Sequence, residues 1–150
     1  MKNLRSIFIL LAIFVFAVVG NAQNNAKSNS LQFSQEVKSS PAFAELILRR
    51  TELESELEEL LVSYTDEYPK VKDLRYELSI LQREFEKITK VKSSEAGKLT
   101  LALGKLMVRK AEIETDYWNF KNRYSDEHPQ TKRAKRKLEI FDKAINEIMQ

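Results

Sequence analysis

The sequence predicts an all-α fold: tandem duplicated antiparallel helical hairpins, arranged as a four-helix bundle or as an elongated coiled coil. Three observations lead there. Apolar residues recur at three-four spacing through most of the chain, which lays one greasy stripe along each helix. No stretch alternates apolar and polar residues as a half-buried strand would. Residues 44–88 also repeat sixty positions later without a gap, with identities at Leu46/Leu106, Arg49/Arg109, Glu52/Glu112, Glu54/Glu114, Tyr64/Tyr124, Pro69/Pro129, Leu78/Leu138, Ile80/Ile140 and Ile88/Ile148.

Taken in order, residues 1–22 have the layout of a secretory signal peptide. Lys2 and Arg5 precede the apolar run Ile7 to Val19, and small residues lead to a cut after Ala22. That run is shorter than the roughly 20 residues a bilayer span needs, so cleavage is favoured over a permanent anchor. Residues 23–38, rich in Asn and Ser, read as a flexible arm whose Leu31, Phe33 and Val37 alternate weakly. Hairpin 1 occupies 39–92 and hairpin 2 occupies 93–150.

Ser40 before Pro41 supplies a hydroxyl cap and a proline at the first helical position, where no amide hydrogen is missed. The first helix then runs to about residue 65 with the seam Phe43, Leu46, Leu53, Leu57, Leu60 and Tyr64, interrupted at Arg50. The second carries Val71, Leu74, Leu78, Leu81, Phe85 and Ile88. The repeat gives Leu103, Leu106, Ile113, Tyr117, Phe120 and Tyr124 with Lys110 in the place of Arg50, then Thr131, Ala134, Leu138, Phe141, Ile145 and Ile148. A gapped match of Lys38–Ala42 with Lys92–Ala96 makes Ser93–Ser94 the expected start of the third helix. Those serines and Gly97 favour a break there, hence a bundle, over a continuous rod from 69 to 126.

Composition excludes much chemistry. The 150 residues hold 25 Lys plus Arg, 22 Asp plus Glu, one His, three Gly and no Cys. Disulfides, thiolate metal sites, iron–sulfur clusters and cysteine nucleophiles are therefore ruled out, and a glycine-rich phosphate loop has too few glycines. Carboxylate pairs such as Glu52 and Glu54 lack any partner that would tune them for acid–base work, and the Glu-x-x-His element of four-helix metal sites is missing. No enzymatic activity, catalytic residue, metal or cofactor is expected.

The segments Tyr64-Thr65-Asp66-Glu67-Tyr68-Pro69 and Tyr124-Ser125-Asp126-Glu127-His128-Pro129 are the most alike of the two copies. Proline pushes Tyr68 and His128 out of the helical region and so places the turn. Tyr64, Asp66, Pro69, Tyr124, Asp126 and Pro129 are read as structural turn residues, with the acidic pair near free amides of the next helix. This pattern, followed by a helix of spaced Leu or Ile, resembles the periplasmic helical hairpins of polysaccharide chain-length-determinant and exopolysaccharide-transport proteins. The resemblance covers about residues 46–88 and 106–148. It implies a hairpin in the cell envelope linked to surface-polysaccharide export. It lacks the two membrane helices and the kinase domain often found in that family.

Candidate partner-binding residues are Trp118 and Phe120, an aromatic cluster with Tyr117, and the basic run Lys132, Arg133, Lys135, Arg136 and Lys137. Trp118 stands where the first copy has Glu58; it either packs beneath the arm or serves as an exposed anchor. The region 41–66 holds seven acids against two bases, and 129–150 holds six bases against three acids. These two helices are expected to face each other, within the bundle or across a dimer.

The leading expectation is an exported, non-enzymatic helical scaffold or adaptor of the bacterial envelope, periplasmic or secreted, or held in the inner membrane if the N-terminal segment stays uncleaved. Its partners would be a second copy in a homodimer, envelope proteins, or a polyanion such as acidic polysaccharide or lipid head groups, and not nucleic acid. The alternative is a periplasmic chaperone or stress protein that holds unfolded clients.

Overall fold

The computed structural model describes residues 34–150. Its helices follow in the order α1 (Gln35–Lys38), α2 (Pro41–Leu61), α3 (Pro69–Thr89), a 3-10 segment (Ser93–Lys98), α4 (Leu101–Arg123) and α5 (Pro129–Met149), with no strand among the described residues. The expected all-α class and bundle packing are present. The signal-peptide reading and Leu31 and Phe33 of the arm lie outside the described residues. No described helix is long and apolar enough to cross a membrane.

The helix starts are chemically marked. Ser40 Oγ accepts from the Phe43 amide at 3.3 Å, and Pro41 is the first helical residue of α2. In the second copy the cap is Thr100, whose hydroxyl accepts from the Leu103 amide at 3.2 Å. The serine pair Ser93–Ser94 opens the 3-10 segment instead of α4, so the gapped match misplaced the third helix. The plain sixty-residue offset holds throughout: Thr100 answers Ser40, Leu101 answers Pro41, and the 21-residue α5 lies on α3 position for position. The interruption between Thr89 and Leu101 excludes the continuous rod.

The end of the expected arm is helical. Ser34 caps α1, and Val37 is 1% exposed within the core, so the segment docks by one side chain on a helix and not by alternation.

α2 and α3 form the first hairpin, α4 packs on both of them, and α5 packs on α4. α2 and α4 run in the same direction, since Ala42 and Glu45 lie against Gly104 near the start of each. The Ala42 amide donates to the Leu99 carbonyl at 3.2 Å and ties the two copies together at that end. Phe85, Leu46, Leu53, Leu74, Ile80, Leu81, Leu103 and Met107 are almost fully buried in this core. Each such side chain contributes about 1.5–3 kcal/mol by leaving water. Arg50, the interruption of the first seam, lies over the Phe85 ring at 5.3 Å to its centroid.

Within the chain the acidic α2 and basic α5 do not face each other. α4 lies between the partners each one uses, and no ion pair joins α2 to α5 among the described residues. Apolar burial decided which helices meet, because exposed charge pairs are worth well under about 1 kcal/mol each.

A buried ionic cluster locks the arrangement instead. Glu84, 1% exposed, accepts from Lys110 Nζ and from Lys87 Nζ, both at 2.8 Å. Lys110 also meets Asp142 of α5 at 3.0 Å and Glu114 at 3.7 Å. Burial by itself lowers the Lys110 pKa, but the Glu84 hydrogen bond and charge outweigh it and raise the value. Arg49 makes a parallel link, donating to Glu77 of α3 at 2.7 Å and standing 3.7 Å from Glu112 of α4. Burial raises the Glu77 pKa, and Arg49 opposes that shift.

Two stability outcomes are expected. Gly104→Ala destabilises, by about 1–3 kcal/mol, because its Cβ would sit 2.8 Å from the Ala42 Cα; Gly97→Ala, with nothing within 4 Å, is neutral or mildly stabilising in the same urea titration. Lys110→Met costs about 3 kcal/mol by leaving, among the described residues, the buried Glu84 with Lys87 as its one cation and Asp142 with none, and adding Glu84→Leu recovers part of that loss. Since the Lys110 pKa is raised on folding, its stabilisation is complete below the ordinary lysine value of 10.5 and is lost as pH climbs through the folded value. Urea midpoints of Lys110→Met and the parent should therefore converge only at strongly alkaline pH.

Candidate functional site

The turns are built as expected, by different contacts. Tyr68 (φ −63°, ψ 130°) and His128 (φ −63°, ψ 137°) are extended residues before their prolines. Tyr64 stacks on Tyr68, and Tyr124 on His128, each at 4.1 Å between ring centroids. His128 Nδ1 accepts from the Gln130 amide at 3.3 Å and caps α5, whereas Tyr68 makes no side-chain cap. The acidic residues hold side chains and not free amides. Asp66 accepts from Arg75 at 2.6 Å, Asp126 lies 3.6 Å from Lys121, and Glu67 and Glu127 pair with Lys72 and Lys132. Both turns are almost wholly exposed, and their partners are their own helices.

Trp118 is not free in water, and residues 23–33 of the arm expected above it lie outside the described residues. It is half-buried and stacks on Tyr76 of α3, with centroids 4.6 Å apart and planes 19° from parallel. It thus joins α4 to the first hairpin, at the place where the first copy keeps a glutamate on its solvent face. Burial, with the Glu114 carboxylate, raises the Tyr76 pKa.

Phe120 lines a groove between α4 and α5 of about 170 Å³ with Arg109, Ile113, Asp116, Gln130, Arg133, Ala134 and Lys137. The basic run divides around α5. Lys132 is tied to the turn through Glu127, Arg133 and Lys137 line the groove, and Lys135 and Arg136 are exposed away from it. Arg109 pairs with Glu112, one turn along its own helix. No carboxylate lies within 4.0 Å of Arg133 or Lys137 among the described residues, where seventeen other pairs meet that distance, from Arg49–Glu52 to Lys143–Glu147.

Position-by-position comparison of the copies shows how this charge arose. In hairpin 1 the same places hold Arg49, Glu56, Lys70, Asp73 and Glu77; there Arg49 pairs with Glu77, and Lys70 with Glu56 at 3.1 Å. In hairpin 2 they hold Arg109, Asp116, Gln130, Arg133 and Lys137. A neutralised interhelical seam has become an electropositive groove with an apolar floor. Ala134 in the place of Leu74 leaves the floor open, and Ile140, identical to the fully buried Ile80, is 65% exposed.

Arg109 and Ile140 were missed by a reading that sought clusters along the sequence. Their signal is the pairing of repeat positions with opposite charge or burial. The arrangement can bind: it offers an anionic, partly apolar surface a complementary face. No group of His, Cys, Asp and Glu among the described residues is placed to hold a metal ion. The chain matches no protein-family model, no curated protein and no solved structure.

Lys137→Glu places a carboxylate where Glu77 stands in the first copy, next to Arg109. It is expected to raise stability by about 0.5–1 kcal/mol in urea titrations, with the gain shrinking at high salt.

Proposed function

We propose that the protein is an exported, non-enzymatic helical scaffold or adaptor of the bacterial cell envelope, with a link to surface-polysaccharide export through the hairpin resemblance. The observation that carries the binding part is the unequal fate of one repeat position: Ile80 is fully buried between helices and Ile140 is exposed beside a basic groove. Arg109, Arg133 and Lys137 over an apolar floor, with the exposed Ile140 one turn further along α5, support an interaction surface. Export rests on the layout of residues 1–22, and the polysaccharide link on the paired turn motifs around Pro69 and Pro129.

A periplasmic chaperone is the second reading. Leu48, Val62, Leu101 and Ile140 are spread over the surface at 45–85% exposure, as a holder of many clients would need. The two readings part on stoichiometry, since a scaffold saturates with defined partners and a chaperone suppresses aggregation of unrelated ones.

Expression in a bacterial host followed by fractionation and N-terminal mass determination tests export. The expected product begins at Gln23 and leaves with the periplasmic fraction. A full-length chain in the cytosol would refute the reading. Suppression of the aggregation of heat-denatured client proteins at near-equimolar ratio would favour the chaperone over the scaffold.

A further inference from the structure

The sixty-residue repeat contains a helix-packing interface twice, once closed inside the chain and once open at both of its surfaces. Inside the chain, α4 docks on the first hairpin through Gly104, Val108, Ala111, Thr115 and Trp118. Gly104, Ala111 and Thr115 are buried, and Trp118 stacks on Tyr76. The counterparts of these residues in α2 are Ala44, Leu48, Thr51, Ser55 and Glu58. On a helix of 3.6 residues per turn the first four fall on one stripe opposite the buried Leu46, Leu53 and Leu57. All four are exposed, Leu48 to 56%. The docking surface that α4 uses is thus present on α2 and uncovered.

The receiving surface is duplicated too. α4 lies against Ala42, Glu45, Arg49, Tyr76, Ile80 and Arg83 of the first hairpin, through the Gly104 approach, the Arg49–Glu112 and Arg83–Glu114 pairs, the Trp118 stack and the shared core. Their counterparts are Ala102, Lys105, Arg109, Arg136, Ile140 and Lys143, all exposed. Ala42, Arg49 and Ile80 are unchanged in the second copy; Glu45, Tyr76 and Arg83 are now Lys, Arg and Lys. Arg109 pairs with Glu112, and Lys143 lies 3.8 Å from Glu147, both on their own helices.

The charges decide the occupant. The open receiving face carries four cations around Ile140, and the open stripe of α2 is flanked by Glu52, Glu54, Glu58 and Glu59. Within one chain these two surfaces do not meet, as α4 separates them.

We propose that the α2 stripe of one molecule docks on the α4–α5 face of another, repeating between chains the packing of α4 on the α2–α3 hairpin, so that copies associate head to tail. The contact is heterologous, so it carries association past a dimer, into a filament or a closed ring. It deepens the scaffold reading, on which it rests only in taking the partner to be a protein. A chain that is exported but never self-associates sinks this proposal and leaves that reading standing. A chain that self-associates but is not exported does the reverse.

Sedimentation velocity of the purified chain, with two variants at exposed positions, tests it. The parent is expected to grow in mass with concentration without stopping at a dimer, and less so at high salt. Leu48→Lys spoils the stripe and Ile140→Glu spoils the face. Each should weaken association at least about 30-fold and leave the circular dichroism melting curve unchanged. Mixed together, they should form a one-to-one heterodimer, because Ile140→Glu keeps an intact stripe and Leu48→Lys an intact face. A parent monomeric to about 1 mM, a closed dimer, or a mixture that forms no heterodimer would each overturn the proposal. The monomeric result is also the one expected if the cations serve an acidic polysaccharide instead.

Discussion

The structure depends on burying α4 on two sides. One side meets α5, the partner of its hairpin; the other lies across α2 and α3. The second contact needs backbones close enough that Gly104 has no room for a Cβ beside Ala42. It also needs the Lys110 ammonium, carried into the interior with the helix, to find Glu84 and Asp142. Losing either condition weakens the core that the two hairpins share through Leu46, Leu53, Ile80, Leu103 and Met107. With both in place, α3 is also covered on two sides, which is why Glu77, Ile80 and Glu84 are buried although none belongs to its hairpin seam.

This division explains what could be read from the sequence. The seams were legible because a stripe of Leu, Ile and Phe at three-four spacing has one cheap solution, an antiparallel neighbour reached through a short proline-set turn. Ser40 and Pro41 announced their helix for equally local reasons. The inter-hairpin face was not legible. It is made of Gly104, Ala111 and Thr115 with paired charges at Lys110 and Glu84, residue types that populate solvent faces just as readily. The serine pair Ser93–Ser94 misled because the 3-10 segment there starts without a side-chain cap, and the Ser93 hydroxyl donates to Glu36 of α1 at 3.3 Å instead. The charge argument that set α2 against α5 failed within the chain because net charge does not specify packing.

The candidate site was half legible. Arg133, Lys137 and Phe120 were identified from a basic run and an aromatic cluster, and they do line one groove. Arg109 lies far from that run in sequence and comes to it only through the fold, whereas Ile140 follows Lys137 by three residues on the same helix. Trp118 was singled out correctly as the sharpest difference between copies, but its task is internal: it replaces a solvated Glu58 because α4 is covered where α2 is not. Divergence between duplicated halves is thus the common thread. Where an identical residue is buried once and exposed once, as with Ile80 and Ile140, the exposed copy lacks the helical cover its twin has among the described residues.

The claim that α4 joins the two hairpins into one core is tested most directly by nuclear Overhauser contacts in the isotope-labelled protein. Cross-peaks are predicted between the Gly104 and Ala42 α-protons and between the Trp118 and Tyr76 rings, groups that sit in different copies of the repeat. Strong contacts within each hairpin, accompanied by none across those two pairs, would contradict it.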